Sequence, residues 1–115
     1  MHPKGLFRLS ANCVVNLDEQ TVIRGFREFR LTDLEFLILE CLIDNAGHPV
    51  SANVLIQRIW SGRRSGNREN LNVQIGKIRK RVEEDPSHPQ HLLSIHGVGY
   101  MLWASDNRSI VDEHE

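Results

Sequence analysis

The chain has 115 residues, of which 40% are hydrophobic and 6% aromatic, so it can form one domain with a mostly aliphatic core. No apolar run approaches the length of a membrane-spanning helix, and the first residues do not form a signal peptide. Cys13 and Cys41 lack the Cys-x-x-Cys spacing of a redox or zinc site. They are predicted to be buried thiols of a reducing compartment, which indicates the cytoplasm.

Charge is distributed unevenly along the chain, although the formal net charge is only −1. Residues 53–82 contain eight Lys and Arg residues against one acid, Glu69, which gives this segment a charge of +7. The remaining residues contain six cations and fourteen acids, a charge of −8. A chain with this polarity is expected to offer one surface to a polyanion and to repel it elsewhere, which favours binding to nucleic acid.

Four short alternating or β-branched runs, separated by polar turns, open the chain after residues 1–5, which are expected to be flexible. The runs predict a small antiparallel sheet that contains no obvious chemistry. Its strands are expected at residues 6–9, 13–17, 21–23 and 27–31.

Two helices with apolar faces are predicted next. Residues 32–35 form a capping box that opens the first helix, and Gly47 ends it. Residues 48–50 form an extended connector, and Ser51 then caps a second helix that runs through Trp60. The residues of the second helix expected to face inward are Val54, Leu55, Ile56 and Ile59.

Residues 68–82 predict a third helix, which is the most informative part of the sequence. Its apolar stripe, at helical spacing, consists of Leu71, Ile75, Ile78 and Val82. At 100° per residue, the opposite face consists of Glu69, Val73, Gly76, Lys77 and Lys80, with Arg79 and Arg81 on the flanks. This pattern suits a DNA major groove, where the cations would meet phosphates and the valine a thymine methyl group. A surface helix with a solvated cationic face is the alternative, and the charge distribution favours DNA.

A polar loop, residues 61–67, precedes the third helix, and a hairpin follows it. The hairpin strands are predicted at residues 92–96 and 100–104, around a tight turn that contains Gly97 and Gly99. Residues 105–115 form an acidic tail that is predicted to be disordered.

Six motifs occur in an order and spacing that resemble the effector domain of OmpR/PhoB-type bacterial transcription regulators. They are Leu-Thr-Asp-Leu-Glu-Phe at 31–36, Gly-His-Pro-Val-Ser at 47–51, Ile-Trp at 59–60, Val-Gln-Ile-Gly-Lys-Ile-Arg-Lys at 73–80, Glu-Asp-Pro at 84–86 and Gly-Val-Gly-Tyr at 97–100. The resemblance implies an α+β winged helix-turn-helix over residues 6–104, with an N-terminal antiparallel sheet, three helices and a C-terminal β-hairpin wing. It also implies sequence-specific binding to double-stranded DNA in transcription regulation, without a cofactor or a metal.

In this family the third helix enters the major groove and the wing reaches the adjacent minor groove. The resemblance assigns recognition-helix positions to Asn70, Val73, Gln74, Lys77 and Arg79, and contacts with the DNA backbone to Trp60, Ser94, His96 and Tyr100. The predicted DNA-binding set is completed by the nearby cations Arg63, Arg64, Arg68, Lys80 and Arg81.

Glu69, His96 and Met101 depart from the family pattern. Glu69 stands where arginine is common, and it can either accept from a cytosine amino group or complement the positive helix N-terminus. His96 replaces the usual wing arginine and Met101 stands where arginine is common, so the wing is poorly charged near neutral pH. Gly76 lies in mid-helix, where it costs about 1 kcal/mol relative to alanine. It either permits close approach to DNA or occupies an unconstrained position.

The loop of residues 61–67 occupies the position at which family members contact RNA polymerase. Those loops usually carry aromatic or acidic residues, whereas this one carries Arg63 and Arg64. A polymerase contact and a phosphate clamp are both open for these two arginines.

Other classes of function have less support in the sequence. It contains no Gly-rich phosphate loop, no His-Glu-x-x-His motif and no nucleophile with a base partner, so an enzyme is not expected. His88 and His91 are three residues apart, but they lie in a proline-containing loop and not on a helix, which disfavours zinc. The alternative to DNA binding is a winged-helix protein-interaction module that presents its basic face to an acidic partner.

The family resemblance also sets expectations for the wider protein. Members usually carry an N-terminal receiver domain, which these 115 residues do not contain. Four contexts are open: an excised effector domain, a stand-alone regulator, a phage or plasmid protein, or the cytoplasmic head of a membrane-anchored relative. We expect a monomer in free solution and pairwise binding to tandem half-sites on DNA.

Overall fold

The computed structural model describes residues 5–60 and 66–105. In chain order these residues form β1 (Leu6–Ser10), β2 (Cys13–Asn16), β3 (Thr21–Arg24), β4 (Arg27–Arg30), α1 (Asp33–Asp44), β5 (Val50–Ser51), α2 (Ala52–Trp60), α3 (Arg68–Val82), β6 (Leu92–Ile95) and β7 (Gly99–Leu102). This is the α+β arrangement predicted from the sequence. Within the described ranges, no helix is long and apolar enough to cross a membrane.

The N-terminal strands form one antiparallel sheet in the order β1-β2-β3-β4, which confirms the predicted sheet with ends shifted by about one residue. Phe7, Val15, Val22 and Phe29 stand opposite one another across the four strands. Their row faces the helices, and Val15 and Val22 are fully buried there. The sheet therefore closes one side of the core.

The predicted capping box opens α1. The Thr32 hydroxyl accepts from the Glu35 N–H at 3.2 Å, and Glu35 Oε1 accepts from the Thr32 N–H at 3.1 Å. The helix ends at Asp44 with Asn45 as its C-cap, rather than at the predicted Gly47. Asn45 caps the end of the helix, because its side-chain amide donates to the carbonyl of Cys41 at 2.8 Å.

The second helix begins as predicted, because the Ser51 hydroxyl accepts from the Val54 N–H at 3.0 Å. Leu55 and Ile59 are buried, and Ile56 is half-buried. The prediction that Val54 faces inward is wrong, since its side chain is 44% exposed. Three consecutive apolar residues cover most of a helix circumference, so one of them must point away from the core.

The connector before α2 contains a short strand that the sequence did not predict. β5 pairs antiparallel with β7, which also pairs with β6, to form a second sheet in the order β5-β7-β6. Gly99 permits this pairing, because a Cβ atom there would collide with the carbonyl oxygen of Val50. The hairpin of residues 92–102, called the wing below, is thereby attached to the start of α2.

The helices and both sheets enclose one aliphatic core. Its completely buried members include Leu9, Val15, Val22, Ile38, Leu39, Leu42, Leu55, Ile78, Leu92 and Leu102. Cys13 and Cys41 are buried as free thiols, as predicted. Gly5 and Ser105 are tied to the domain through Asp18 and Leu9, respectively. The other residues predicted to be flexible or disordered at the termini lie outside the described ranges.

Candidate nucleic-acid interface

Helix α3 has the bounds that the sequence predicted, and its N-terminus is fixed by a second capping box. The Asn67 side-chain oxygen accepts from the Asn70 N–H at 2.8 Å, and the Asn70 side-chain oxygen accepts from the Asn67 N–H at 3.1 Å. The side-chain oxygen of Asn70, a predicted recognition residue, is therefore engaged in capping, while the residue remains exposed. The predicted stripe is confirmed, since Leu71, Ile75, Ile78 and Val82 are all at most 1% exposed.

The side of α3 opposite this stripe, called the outward face, consists of Glu69, Val73, Gly76, Lys77 and Lys80. Val73 is 53% exposed, and the two cations of this face, Lys77 and Lys80, are also exposed. No heavy atom outside the local helix lies within 4 Å of a Cβ built on Gly76, so the domain itself does not require a glycine there. This face combines an apolar group, two cations and one carboxylate along a helix surface that a major groove accommodates.

One flank of α3 is bound to the wing. The Arg79 guanidinium donates through Nε to the Leu92 carbonyl at 3.0 Å and through Nη2 to the Ser94 hydroxyl at 3.1 Å. The Tyr100 hydroxyl donates to the Asn72 side-chain oxygen at 2.5 Å. Sequence reasoning assigned no role to Asn72, although its place two turns before Arg79 puts both residues on one flank. Three predicted DNA contacts, Arg79, Ser94 and Tyr100, are thus bonded within the domain.

The other flank of α3 is bound to the N-terminal sheet and to α1. Arg81 Nε lies 3.8 Å from Oε1 of the fully buried Glu35, and the Arg81 guanidinium carbon lies 5.9 Å from the centre of the Phe29 ring. The Arg81 carbonyl accepts from Arg24 Nε at 3.1 Å. Arg81, which the sequence placed in the DNA-binding set, therefore points away from the outward face.

The remaining predicted residues that the structure describes are spread over α2, α3 and the wing. Arg68 is exposed and lines a cleft of about 110 Å³ between α3 and the wing. Trp60 is half-buried, and Gly66 passes so close to its indole ring that any side chain at residue 66 would collide with it. Gln74 is half-buried, whereas His96 is exposed on the wing. Arg63 and Arg64 lie outside the described residues.

A buried carboxylate at the end of α3 sets the path of the chain into the wing. Glu83 is 1% exposed, and its oxygens accept from the backbone N–H groups of Gln90, His91 and Leu92 at 2.8, 2.9 and 2.7 Å. Sequence reasoning assigned no role to Glu83, because no periodicity indicates that a carboxylate accepts hydrogen bonds from the backbone of a following loop.

The pKa values of Cys13, Cys41 and Asp85, which lie away from α3, are shifted by burial or by hydrogen bonds. Burial raises the pKa of the Cys13 thiol to about 11, and burial also raises the pKa of Cys41. Hydrogen bonds from the Ser87 and His88 side chains lower the pKa of Asp85. Among the described residues, no group of three or more His, Cys, Asp and Glu side chains could hold a metal ion.

Comparison with known proteins places this geometry in a family. Residues 27–102 match the model for the C-terminal part of transcriptional regulatory proteins. The KDP operon transcriptional regulatory protein KdpE of Escherichia coli is 31% identical over 98 residues, which cover 85% of this chain and 43% of KdpE. The probable transcriptional regulator ycf27 of Porphyridium aerugineum is 34% identical over 99 residues, or 84% of this chain and 41% of that protein. The chain thus spans less than half the length of these relatives.

Solved structures share the fold. The response regulator DrrB of Thermotoga maritima, an OmpR/PhoB homologue, superposes with a TM-score of 0.76 at 31% identity, covering 87% of this chain and 45% of DrrB. The DNA-binding domain of RstA from Klebsiella pneumoniae, in complex with the RstA box, gives a TM-score of 0.71 at 17% identity, covering 86% of this chain and 97% of that chain, and at this identity it shows the fold alone. Because the family model, the relatives and the fold agree, the chain belongs to the OmpR/PhoB family of transcriptional regulators and contains its winged-helix DNA-binding domain, which is not an enzyme.

Proposed function

We propose that this domain binds double-stranded DNA at specific sequences as the effector part of a bacterial transcription regulator. In this proposal, α3 lies in the major groove and the wing lies at the adjacent minor groove. The observation that carries it is the exposed outward face of α3, where Val73, Lys77 and Lys80 project from a helix whose opposite side is completely buried. Such a helix presents side chains to base edges without exposing its own core.

The roles of individual residues follow from their positions. Lys77 and Val73 are the candidates for base contacts, since a lysine donates to guanine and a valine packs on a thymine methyl group. Asn70 and Gln74 border this pair. Lys80, Arg68 and the loop arginines Arg63 and Arg64 are candidates for phosphate contacts. On the wing, the exposed Ser94 and His96 and the half-buried Tyr100 are the candidates, and Trp60 is the candidate at the end of α2.

Assembly and partners extend the same proposal. We expect two copies to occupy tandem half-sites on DNA while the free domain is a monomer, and the loop of residues 61–67 is the candidate contact with RNA polymerase. A regulator that acts on bacterial DNA would work in the cytoplasm. The AdeR DNA-binding domain, solved in complex with an intercistronic region, supports the DNA-binding part: it is 25% identical, with a TM-score of 0.63, and it covers 84% of this chain and 97% of that chain.

The test is selection of binding sites from a pool of random duplexes, followed by affinity measurements at several salt concentrations. The expected result is an enriched motif of repeated half-sites about one helical turn apart, with binding that weakens steeply as salt rises. If no motif is enriched and binding is weak and blind to sequence, the proposal fails. The basic face would then be tested against acidic protein partners.

A single variant tests the role of α3. Lys77→Ala is expected to lose about 1–3 kcal/mol on the selected site and to relax preference at one base pair. Even weakening across all sequences, with a salt slope about one unit shallower, would make Lys77 a phosphate contact instead. Arg30→Ala is the matched control, because it removes an exposed cation from β4, outside α3 and the wing.

A further inference from the structure

The wing depends on side-chain hydrogen bonds for its attachment to α3. The elements that pack most extensively on α3 are α1, α2 and β3, whereas the wing packs mainly on α1, α2 and β5. Arg79 and Asn72 supply the bonds that cross directly from α3 to the wing. These two residues are two helical turns apart, so the attachments start from points about 10 Å apart along the axis of α3.

Both attachments hold the same place on the hairpin. Ser94, which accepts from Arg79, pairs directly with Tyr100, which donates to Asn72. Two contacts at one cross-strand pair fix the angle of the hairpin more firmly than either contact alone. Arg79 is suited to this task because its planar guanidinium directs two donors in fixed directions, to the Leu92 carbonyl and to the Ser94 hydroxyl.

Because of its composition, the wing can contribute to DNA binding only when it is accurately placed. Residues 92–102 contain neither lysine nor arginine, so the wing has no permanent charge to attract phosphate over a distance. Its contribution to binding must come from short-range contacts, which need accurate placement. Ser94 accepts from Arg79 through its oxygen, which leaves its own proton available for a phosphate. Tyr100 has one proton and donates it to Asn72.

We propose that Arg79 is a positioning residue that holds the wing against α3 and presents Ser94 to the DNA backbone, rather than a phosphate contact itself. This inference rests on the proposed DNA-binding function and specifies how its two contact elements are joined. The positive charge of Arg79 lies between α3 and the wing, so its main effect on DNA is exerted through the geometry of the hairpin.

The charge-preserving variant Arg79→Lys separates the two roles. A lysine ammonium keeps the charge, but it cannot reproduce the two-directional contact with Leu92 and Ser94. On the duplex selected by the wild-type domain, we expect Arg79→Lys to bind about tenfold more weakly, with an unchanged salt slope. Hydroxyl-radical footprinting should show that protection of the minor groove under the wing is lost, while methylation protection of guanine N7 should show that the major-groove contacts of α3 remain.

The matched control is Lys80→Ala, which removes an exposed cation next to Arg79 in sequence but on the outward face. It should make the salt slope shallower by about 0.9 and leave minor-groove protection intact. The inference is overturned if Arg79→Lys binds and footprints like the wild type, or if Arg79→Ala changes the slope as Lys80→Ala does. A purely structural role is also excluded by the footprint, since general loss of folding would remove protection in both grooves together.

A second variant covers the case in which Arg79→Lys does not fold. Asn72→Ala places a good helix former in α3 and removes the acceptor of the Tyr100 hydroxyl. It is expected to reduce minor-groove protection at an unchanged salt slope, and unchanged protection would contradict the inference. If the wild type selects no DNA motif, the proposed function itself fails. If it selects a motif and these variants behave like the wild type, only the positioning role is wrong.

Discussion

Substitution of Glu83 by alanine should destabilise the domain far more than substitution of its acidic neighbour Glu84. The carboxylate accepts from three backbone N–H groups, those of Gln90, His91 and Leu92, at 2.7–2.9 Å. An N–H group left without a partner costs about 1–3 kcal/mol when water cannot reach it. Leu92 is fully buried, so loss of the partner of its N–H costs the full amount. Water can partly replace the carboxylate at the N–H groups of Gln90 and His91.

The expected loss for Glu83→Ala is therefore about 2–5 kcal/mol, a large share of the roughly 5–15 kcal/mol that stabilises a typical domain. Glu83→Gln should lie in between, because its amide oxygen can still accept while its NH₂ group faces a backbone donor. The free energy of unfolding is measured by urea denaturation, followed by circular dichroism and by the fluorescence of Trp60 and Trp103.

Glu84→Ala is the matched control for this experiment. Glu84 is the next residue, is exposed, and accepts one hydrogen bond from the Asn12 side chain at 3.2 Å. Its removal should change the free energy of unfolding by less than about 0.5 kcal/mol. If Glu83→Ala and Glu84→Ala cost the same within error, the buried carboxylate does not organise the turn and the reasoning is refuted.

Three further predictions concern α3 and the core. Gly76→Ala should stabilise the domain by about 1 kcal/mol in thermal or urea unfolding, because its Cβ meets open space; no gain would contradict the open geometry. Arg81→Ala should leave the salt slope of DNA binding unchanged, whereas Lys80→Ala should make it shallower by about 0.9, and equal slopes would return Arg81 to the DNA-binding set. Because the folded-state pKa of Cys13 is raised from 9.0 to about 11, its contribution to stability is present below pH 9.0 and is lost as pH rises towards 11. The urea concentration at the midpoint of unfolding should therefore decrease when the pH is raised from about 8 to about 10. The decrease should be smaller in Cys13→Ala.

Local signals in the sequence were sufficient to predict the three helices, the N-terminal sheet, the hairpin and the exposed face of α3. The apolar stripe predicted α3 and its buried side, since a spacing of four, three and four places all its residues on one side of a helix. The capping box at Thr32 predicted the start of α1, because its hydrogen bonds join residues three apart. The same local logic found the exposed Val73 and Lys77, whose positions follow from helix geometry once the buried side is known.

Tertiary partners account for what sequence reasoning missed. Helical spacing placed Arg79 and Arg81 on the flanks of α3. It could not reveal that Arg79 contacts Ser94 on one flank and that Arg81 contacts Glu35 on the other. Resemblance to a family added Arg79 to the predicted DNA-binding set, and positive charge added Arg81, because neither a motif nor a charge count shows which hydrogen bonds a side chain makes. The short strand β5 was missed for a related reason, since two residues contain too little pattern to predict pairing with a distant hairpin.

Two charged residues, Arg79 of α3 and its C-cap Glu83, hold the backbone at the start of the wing. The backbone N–H of Leu92 donates to the Glu83 carboxylate, and the carbonyl of Leu92 accepts from the Arg79 guanidinium. The first residue of the wing is thus held on both sides of its backbone by oppositely charged groups that are four residues apart on the chain. Since the wing carries neither lysine nor arginine, these two residues can influence DNA binding without contacting DNA, by fixing where the wing begins.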